Sequence, residues 1–412
     1  MTTEHEFVVP LDHGDPSGES ITVFAREVVA PRKQRDALPW LVYLQGGPGF
    51  MSPRPTTRSG WLGRVLQDHR VLLLDHRGTG RSSRVTRHSL LGRDPVGAAD
   101  YLSHFRADSI VRDAELIRHE LVGDEGRWTV LGQSYGGFAA LTYLSFAPEG
   151  LSQVLVTGGL PPLTAHPDDV YRATYPRVAD RLARFTDRYP DDRDRLDAIA
   201  DHVAKVDVPL PSGMRLTVPR LQSLGHALGR SDGFEVLHHL LELAWDGTEL
   251  ADEFLHDVDH HTGFAAAPLY AVMHESIYCQ GLASRWSAQR VRDSMPELSP
   301  DVRPLQLTGE MIYPWMFEDE PALLPLRELA DLLAERETWP ALYDVDVLAR
   351  NQVPVAAAIY HDDMYVDYDY SLATARQVGN ARWWVTSEYA HDGLRTSPRV
   401  IERLLDLVTD EA

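Results

Sequence analysis

Ser134 lies between two glycines in Gly132-Gln133-Ser134-Tyr135-Gly136, a G-x-S-x-G pattern. A β-rich run, Trp128-Thr-Val-Leu131, leads directly into it, and a helix-forming run, Phe138-Ala-Ala-Leu-Thr-Tyr-Leu144, leads out of it towards Pro148. On a tight strand-to-helix turn the flanking residues must be small, because strained backbone leaves no room for side chains. The serine hydroxyl then projects from the carboxyl edge of a sheet. That is the geometry of a nucleophile for acyl transfer. The pattern alone recurs by chance, and its position between strand and helix is what separates it from an ordinary glycine-rich turn.

Such a serine needs donors for the oxyanion it creates. Gln45-Gly46-Gly47-Pro48-Gly49 follows an earlier apolar run and offers the N–H of Gly47, since Pro48 has none; the N–H of Tyr135 is the second donor. The serine also needs a base and an orienting acid, which in this arrangement follow in the order Ser, acid, His after late strands. Run 353–359 leads into Tyr360-His361-Asp362-Asp363-Met364-Tyr365, and run 382–386 leads into a loop holding His391. Asp363 is read as the acid, with Asp362 next, and His391 as the base, singled out from 18 histidines by its place. Asp75-His76-Arg77-Gly78-Thr79-Gly80-Arg81-Ser82 reads as a structural loop beside the site, because it lacks the lysine of a phosphate-binding loop.

Positioning these groups takes a sheet covered on both faces. Runs 21–25, 40–44, 71–75, 128–131 and 154–157 are continuously apolar, which predicts mostly parallel strands with crossover helices and an antiparallel start in the first two runs. From about 160 to 337 the pattern becomes helical. Tyr171, Tyr175, Val178, Leu182, Phe185 and Tyr189 line one face up to Pro190, Leu196, Ile199 and Val203 line another, and Phe234, Leu237, Leu241 and Trp245 a third. Strands return at 353–359 and 382–386 before a last helix near 398–408. The expected organisation is an α/β core of residues 1–160 and 341–412, interrupted by a helical cap of residues 161–340.

The 412 residues are 43% hydrophobic and 25% charged, which excludes a disordered, fibrous or coiled-coil chain. A net charge of −21 disfavours nucleic acid and anionic membranes as partners. The single cysteine, Cys279, excludes an intramolecular disulfide and multi-cysteine metal sites. With no signal-peptide pattern and no long apolar run, the expected location is the cytoplasm.

Together, Gly46-Gly47-Pro48-Gly49, Asp75-x-Arg77-Gly78-x-Gly80-x-Ser82, Gly132-Gln133-Ser134-Tyr135-Gly136-Gly137 and the late Asp and His resemble the proline iminopeptidase family of α/β-hydrolase serine peptidases over nearly the whole chain. Gln45 stands where the family usually has histidine, which leaves the backbone donors intact. The resemblance implies an α/β-hydrolase fold with an inserted helical cap. It also implies release of N-terminal proline from small peptides without metal or cofactor, and acidic cap residues that hold the substrate amine. For that role it points to Glu275 in Met273-His-Glu-Ser-Ile-Tyr278 and to Glu310 in Thr308-Gly-Glu-Met-Ile-Tyr313, with Tyr313 among the aromatic walls. An esterase, amidase or lactonase on the same scaffold is the alternative, because fold alone does not set the substrate. Ser134 disfavours the haloalkane and epoxide hydrolases that use aspartate, and the complete set of catalytic groups disfavours a non-catalytic binding protein.

Overall fold

The computed structural model describes residues 1–57 and 59–409. Eight strands form one sheet: β1 (Thr2–Pro10), β2 (Ser20–Val28), β3 (Trp40–Leu44), β4 (Arg70–Asp75), β5 (Trp128–Gln133), β6 (Leu151–Thr157), β7 (Val355–Tyr360) and β8 (Ala381–Thr386). Their spatial order is β1-β2-β4-β3-β5-β6-β7-β8. From β4 to β8 every neighbouring pair is parallel. β1 and β2 form the antiparallel start, and β2 runs antiparallel to β4. The run 40–44, expected in that antiparallel part, is instead the parallel strand β3. β1 carries no continuous apolar run, because its first residues are polar and exposed and only Phe7 and Val9 turn inwards.

The continuously apolar strands are buried on both faces because alternate residues feed two cores. Val42, Leu72, Val130, Val154 and Ala357 enter one, with the helices Ala107–Val122 and Tyr135–Phe146. Leu41, Val71, Leu131, Leu155 and Ala356 enter the other, under the helix Pro398–Thr409. β7 begins at Val355 because Pro354 brings no N–H to the ladder.

β6 and β7 are parallel neighbours, yet nearly two hundred residues separate them in sequence. Most of that insert is helical. Its longest helix, Pro167–Arg188, buries Tyr171, Tyr175, Val178, Leu182 and Phe185 as the spacing predicts, and it carries Pro176 within it. Two small hairpins interrupt the helices, 208–209 with 215–216 and 245–246 with 249–250. Trp245 therefore does not continue the face of Phe234, Leu237 and Leu241: the helix stops at Glu242, and Trp245 stands 37% exposed in a hairpin. The fully buried Arg106 ties the insert to the core, donating to the carbonyls of Ser276 (3.0 Å), Cys279 (2.6 Å) and Pro340 (2.8 Å). No described helix is long and apolar enough to cross a membrane.

Candidate active site

Ser134 joins β5 to the helix Tyr135–Phe146 with φ 56° and ψ −127°, a left-handed conformation that costs a non-glycine residue energy. The turn is locked by its amide, which donates to the Thr157 carbonyl at 3.0 Å, and by its own carbonyl, which accepts from Gly137 at 2.7 Å. The two motif glycines are sterically required. A Cβ at Gly132 would lie 2.3 Å from the Gly136 carbonyl oxygen, and one at Gly136 would lie 2.0 Å from that of Leu44. The same packing brings the loop after β3 against the serine, since a Cβ at Gly46 would meet Ser134 Cβ at 2.8 Å.

His391, in the loop after β8, bonds through Nδ1 to Asp363 Oδ2 at 2.7 Å, and both residues are buried. Asp363 follows β7, and its Oδ1 accepts from the amides of Tyr365 (2.9 Å) and Val366 (3.1 Å), which fixes the carboxylate. Asp362 turns the other way, to Arg184 at 2.6 Å and His361 at 2.8 Å. Geometry therefore separates the two neighbouring acids: Asp363 is the one that reaches the imidazole. Burial alone would depress the His391 pKa, but the charge and hydrogen bond of Asp363 outweigh it and raise the pKa above the ordinary value.

Ser134, Gly47 and His391 open on one cavity of about 910 Å3. Tyr135 is the first residue of its helix, so its N–H has no carbonyl in a preceding turn to bond. The arrangement can hold an acyl group on Ser134 with backbone N–H groups nearby and an oriented imidazole beside it.

The insert supplies further lining residues. Glu310 reaches the cavity and accepts a hydrogen bond from Tyr270 Oη at 2.9 Å. Burial pushes its carboxyl pKa up to about 7 against a smaller lowering by His391. Glu275 and Tyr313 lie outside this lining. The Glu275 carboxylate is buried at the start of the helix Ser287–Asp293, where it accepts from the amides of Ser287 (3.0 Å) and Ala288 (2.8 Å). It occupies a helix N-terminus that a substrate amine would have to displace. Tyr313 is fully buried, with its hydroxyl 2.9 Å from that of Tyr175 and its ring stacked on Trp315.

His226, Tyr270 and Tyr365 also line the cavity and were not singled out in the sequence. The Tyr365 ring stands edge-on to His391 at 4.9 Å, and its hydroxyl donates to the His226 carbonyl. The His391 amide donates to the Gly229 carbonyl at 3.2 Å, so the insert also steadies the histidine loop. Only Tyr365 had a local signal, its place two residues after Asp363. The loop 75–82 is structural in detail. Asp75, fully buried, accepts from the amides of Ser52 (3.0 Å) and Arg81 (2.9 Å), and Arg77 forms a two-point pair with Asp113 at 2.7 and 2.6 Å.

A profile of the alpha/beta hydrolase fold matches residues 39–201. Over 409 residues the chain is 50% identical to a proline iminopeptidase of Aeromonas sobria, covering 98% of this chain and 96% of that one. It is 36% identical to a proline iminopeptidase of Aspergillus aculeatus, covering 96% of this chain and 90% of the other.

Proposed function

The chain belongs to the proline iminopeptidase family of α/β-hydrolases, and from that membership we propose how its own residues perform the reaction. The enzyme is a prolyl aminopeptidase that releases N-terminal proline from peptides. In our reading residues 1–160 and 341–412 are the hydrolase core and residues 161–340 the cap.

Ser134 Oγ attacks the carbonyl carbon of the N-terminal prolyl residue while His391 takes the hydroxyl proton on its free ring nitrogen. The N–H groups of Gly47 and Tyr135 stabilise the resulting oxyanion. As the C–N bond breaks, His391 returns the proton to the departing amine, which leaves as the shortened peptide. Water then attacks the prolyl ester of Ser134, His391 accepts its proton, and free proline departs as the serine is reprotonated. Asp363 holds the imidazole in one tautomer and stabilises its charged form throughout.

An exopeptidase must also recognise the charged terminus. Glu310 is the group for that role: two carboxyls share the cavity with Ser134 and His391, and while Asp392 accepts from the amide (2.9 Å) and hydroxyl (2.6 Å) of Ser231, Glu310 accepts from the cavity-lining Tyr270, and this juxtaposition carries the proposal. The ammonium of a bound substrate draws Glu310 into its ionised form and donates a charge-assisted hydrogen bond to its carboxylate. Glu275 supports the cap from a distance by holding the helix Ser287–Asp293. Small peptides are the substrates in this reading, with no role for nucleic acid or membrane. A cytoplasmic setting suits the lone, buried Cys279.

The test uses prolyl arylamide with a free or an acetylated amine. Wild type should strongly favour the free-amine compound over the acetylated one, Ser134→Ala should abolish turnover, and a fluorophosphonate should label the wild type but not that variant. Faster turnover of the acetylated compound or of a plain acyl ester would assign the site to an esterase or amidase.

A further inference from the structure

Besides Glu310 and Tyr270 of the insert, the cavity at Ser134 is lined by groups from the rest of the chain. These come from the loop after β3, where Phe50 and Met51 are exposed, from Trp61 of the helix Gly60–Val65, and from Arg395, four residues beyond His391. If Glu310 holds the amine end, as proposed above, the part of the substrate beyond the scissile bond is left to these other lining groups. The present inference rests on that reading.

Arg395 donates from Nη2 to Gln133 Oε1 at 3.2 Å. Gln133 immediately precedes Ser134, and its Oε1 packs against Gly46, where a Cβ would come within 2.8 Å. The guanidinium is thus anchored one residue from the nucleophile and beside the loop that carries Gly47, and its charge reaches His391. The other cations on the lining have ionic partners. Arg54 bonds to buried Asp75, with Nη1 2.9 Å from Oδ1, and Arg230 lies 3.1 Å from Asp232. Arg395 has a neutral amide as its hydrogen-bond partner and forms no ion pair among the described residues. In a chain of net charge −21 it is an exposed cation on the wall of the active cavity.

A peptide whose first residue is bound by its amine carries its other fixed charge at the C-terminal carboxylate. A guanidinium with several N–H donors matches a carboxylate in geometry as well as charge. We propose that Arg395 is a recognition site for the C-terminal carboxylate of short prolyl peptides. The enzyme then selects short peptides with a free carboxylate over amidated ones, and Arg395 sets that selection without entering the bond-breaking steps.

The experiment compares kcat/KM for Pro-Ala with that for Pro-Ala amide, in the wild type, Arg395→Gln and Arg395→Lys. Wild type should favour the free acid by roughly 5- to 20-fold, the scale of one partly exposed charge-assisted contact. In R395Q the ratio should fall close to one, and R395K should keep part of it. A wild-type ratio near one would overturn the proposal. So would an R395Q enzyme whose two rates fall by the same factor, because Arg395 would then only brace Gln133. Should R395Q fail to fold, the wild-type ratio is followed from low salt to high: a decrease supports an ionic contact, and a constant ratio overturns it. Wild-type failure to release proline from prolyl arylamide would sink the aminopeptidase reading itself, a separate outcome.

Discussion

Asp363 and His391, 28 residues apart in sequence and carried by the loops after two adjacent parallel strands, meet through a single 2.7 Å contact between Oδ2 and Nδ1. The second oxygen of Asp363 is committed to two backbone amides, so the carboxylate cannot rotate without losing them. Asp363→Asn should keep the fold and lower kcat by about 10³- to 10⁴-fold, because the amide admits the wrong imidazole tautomer. Asp362→Asn should change kcat less than tenfold, since its partners are Arg184 and His361. Steady-state kinetics on prolyl arylamide decides, and the opposite ranking would transfer the orienting role to Asp362.

Glu310→Gln should weaken kcat/KM for the free-amine substrate by about 2 kcal/mol, the scale for losing the ionised partner of a half-buried charge pair. Residual turnover of an acetylated substrate should be nearly unaffected. Equal losses on both substrates would show that Glu310 only supports the cap.

The pH profile follows from two groups with raised pKa values. Glu310, pushed up to about 7, must be ionised to hold the amine, and His391, also raised, must be neutral to accept a proton. Both requirements fail as pH falls, so kcat/KM should decline below about pH 7 on a limb steeper than a single titration gives. In Glu310→Gln that limb should become a single titration. A wild-type profile flat down to pH 5 would contradict both assignments.

Glu275→Gln should act on stability rather than on recognition. Burial raises the pKa of this carboxyl, while two helix amides hold its ionised form in place. Replacing one oxygen by NH2 turns a donor towards those amides and should cost roughly 1–3 kcal/mol in chemical unfolding. Any kinetic loss should be equal for free and acetylated substrates, and a loss confined to the free amine would return Glu275 to the substrate.

Gly136→Ala should yield little folded enzyme, because its Cβ would press on the backbone oxygen of Leu44 at 2.0 Å, and backbone at the centre of a sheet has no room to give. Soluble, fully active protein would mean that the turn can open without harm.

Groups on the sheet were legible in the sequence for a mechanical reason. Ser134, Asp363 and His391 each follow a strand, and strand runs such as Val71-Leu-Leu-Leu74 announce themselves by unbroken apolarity, so their loops fall at one edge. The glycines around Ser134 were legible because close contacts demand them. Cap residues were not. Glu275 and Glu310 both stand beside aromatic residues in similar sequence surroundings, yet one caps a helix and the other faces the cavity, a difference set by how the insert folds rather than by spacing. Trp245 misled for a related reason: helical spacing persists past Glu242, where the chain has already turned into a hairpin.

The insertion between β6 and β7 has a temporal consequence. A ribosome makes Ser134 more than two hundred residues before Asp363, and His391 another 28 residues later. Until β7 and β8 add to the edge at β6, the nascent chain carries a strained serine with no base beside it. A chain released early, or cleaved within the insert and stripped of its later part, is therefore inert rather than indiscriminate. Hydrolytic capacity arrives with β7 and β8, after the walls that the insert contributes, Glu310 and Tyr270 among them, have been made.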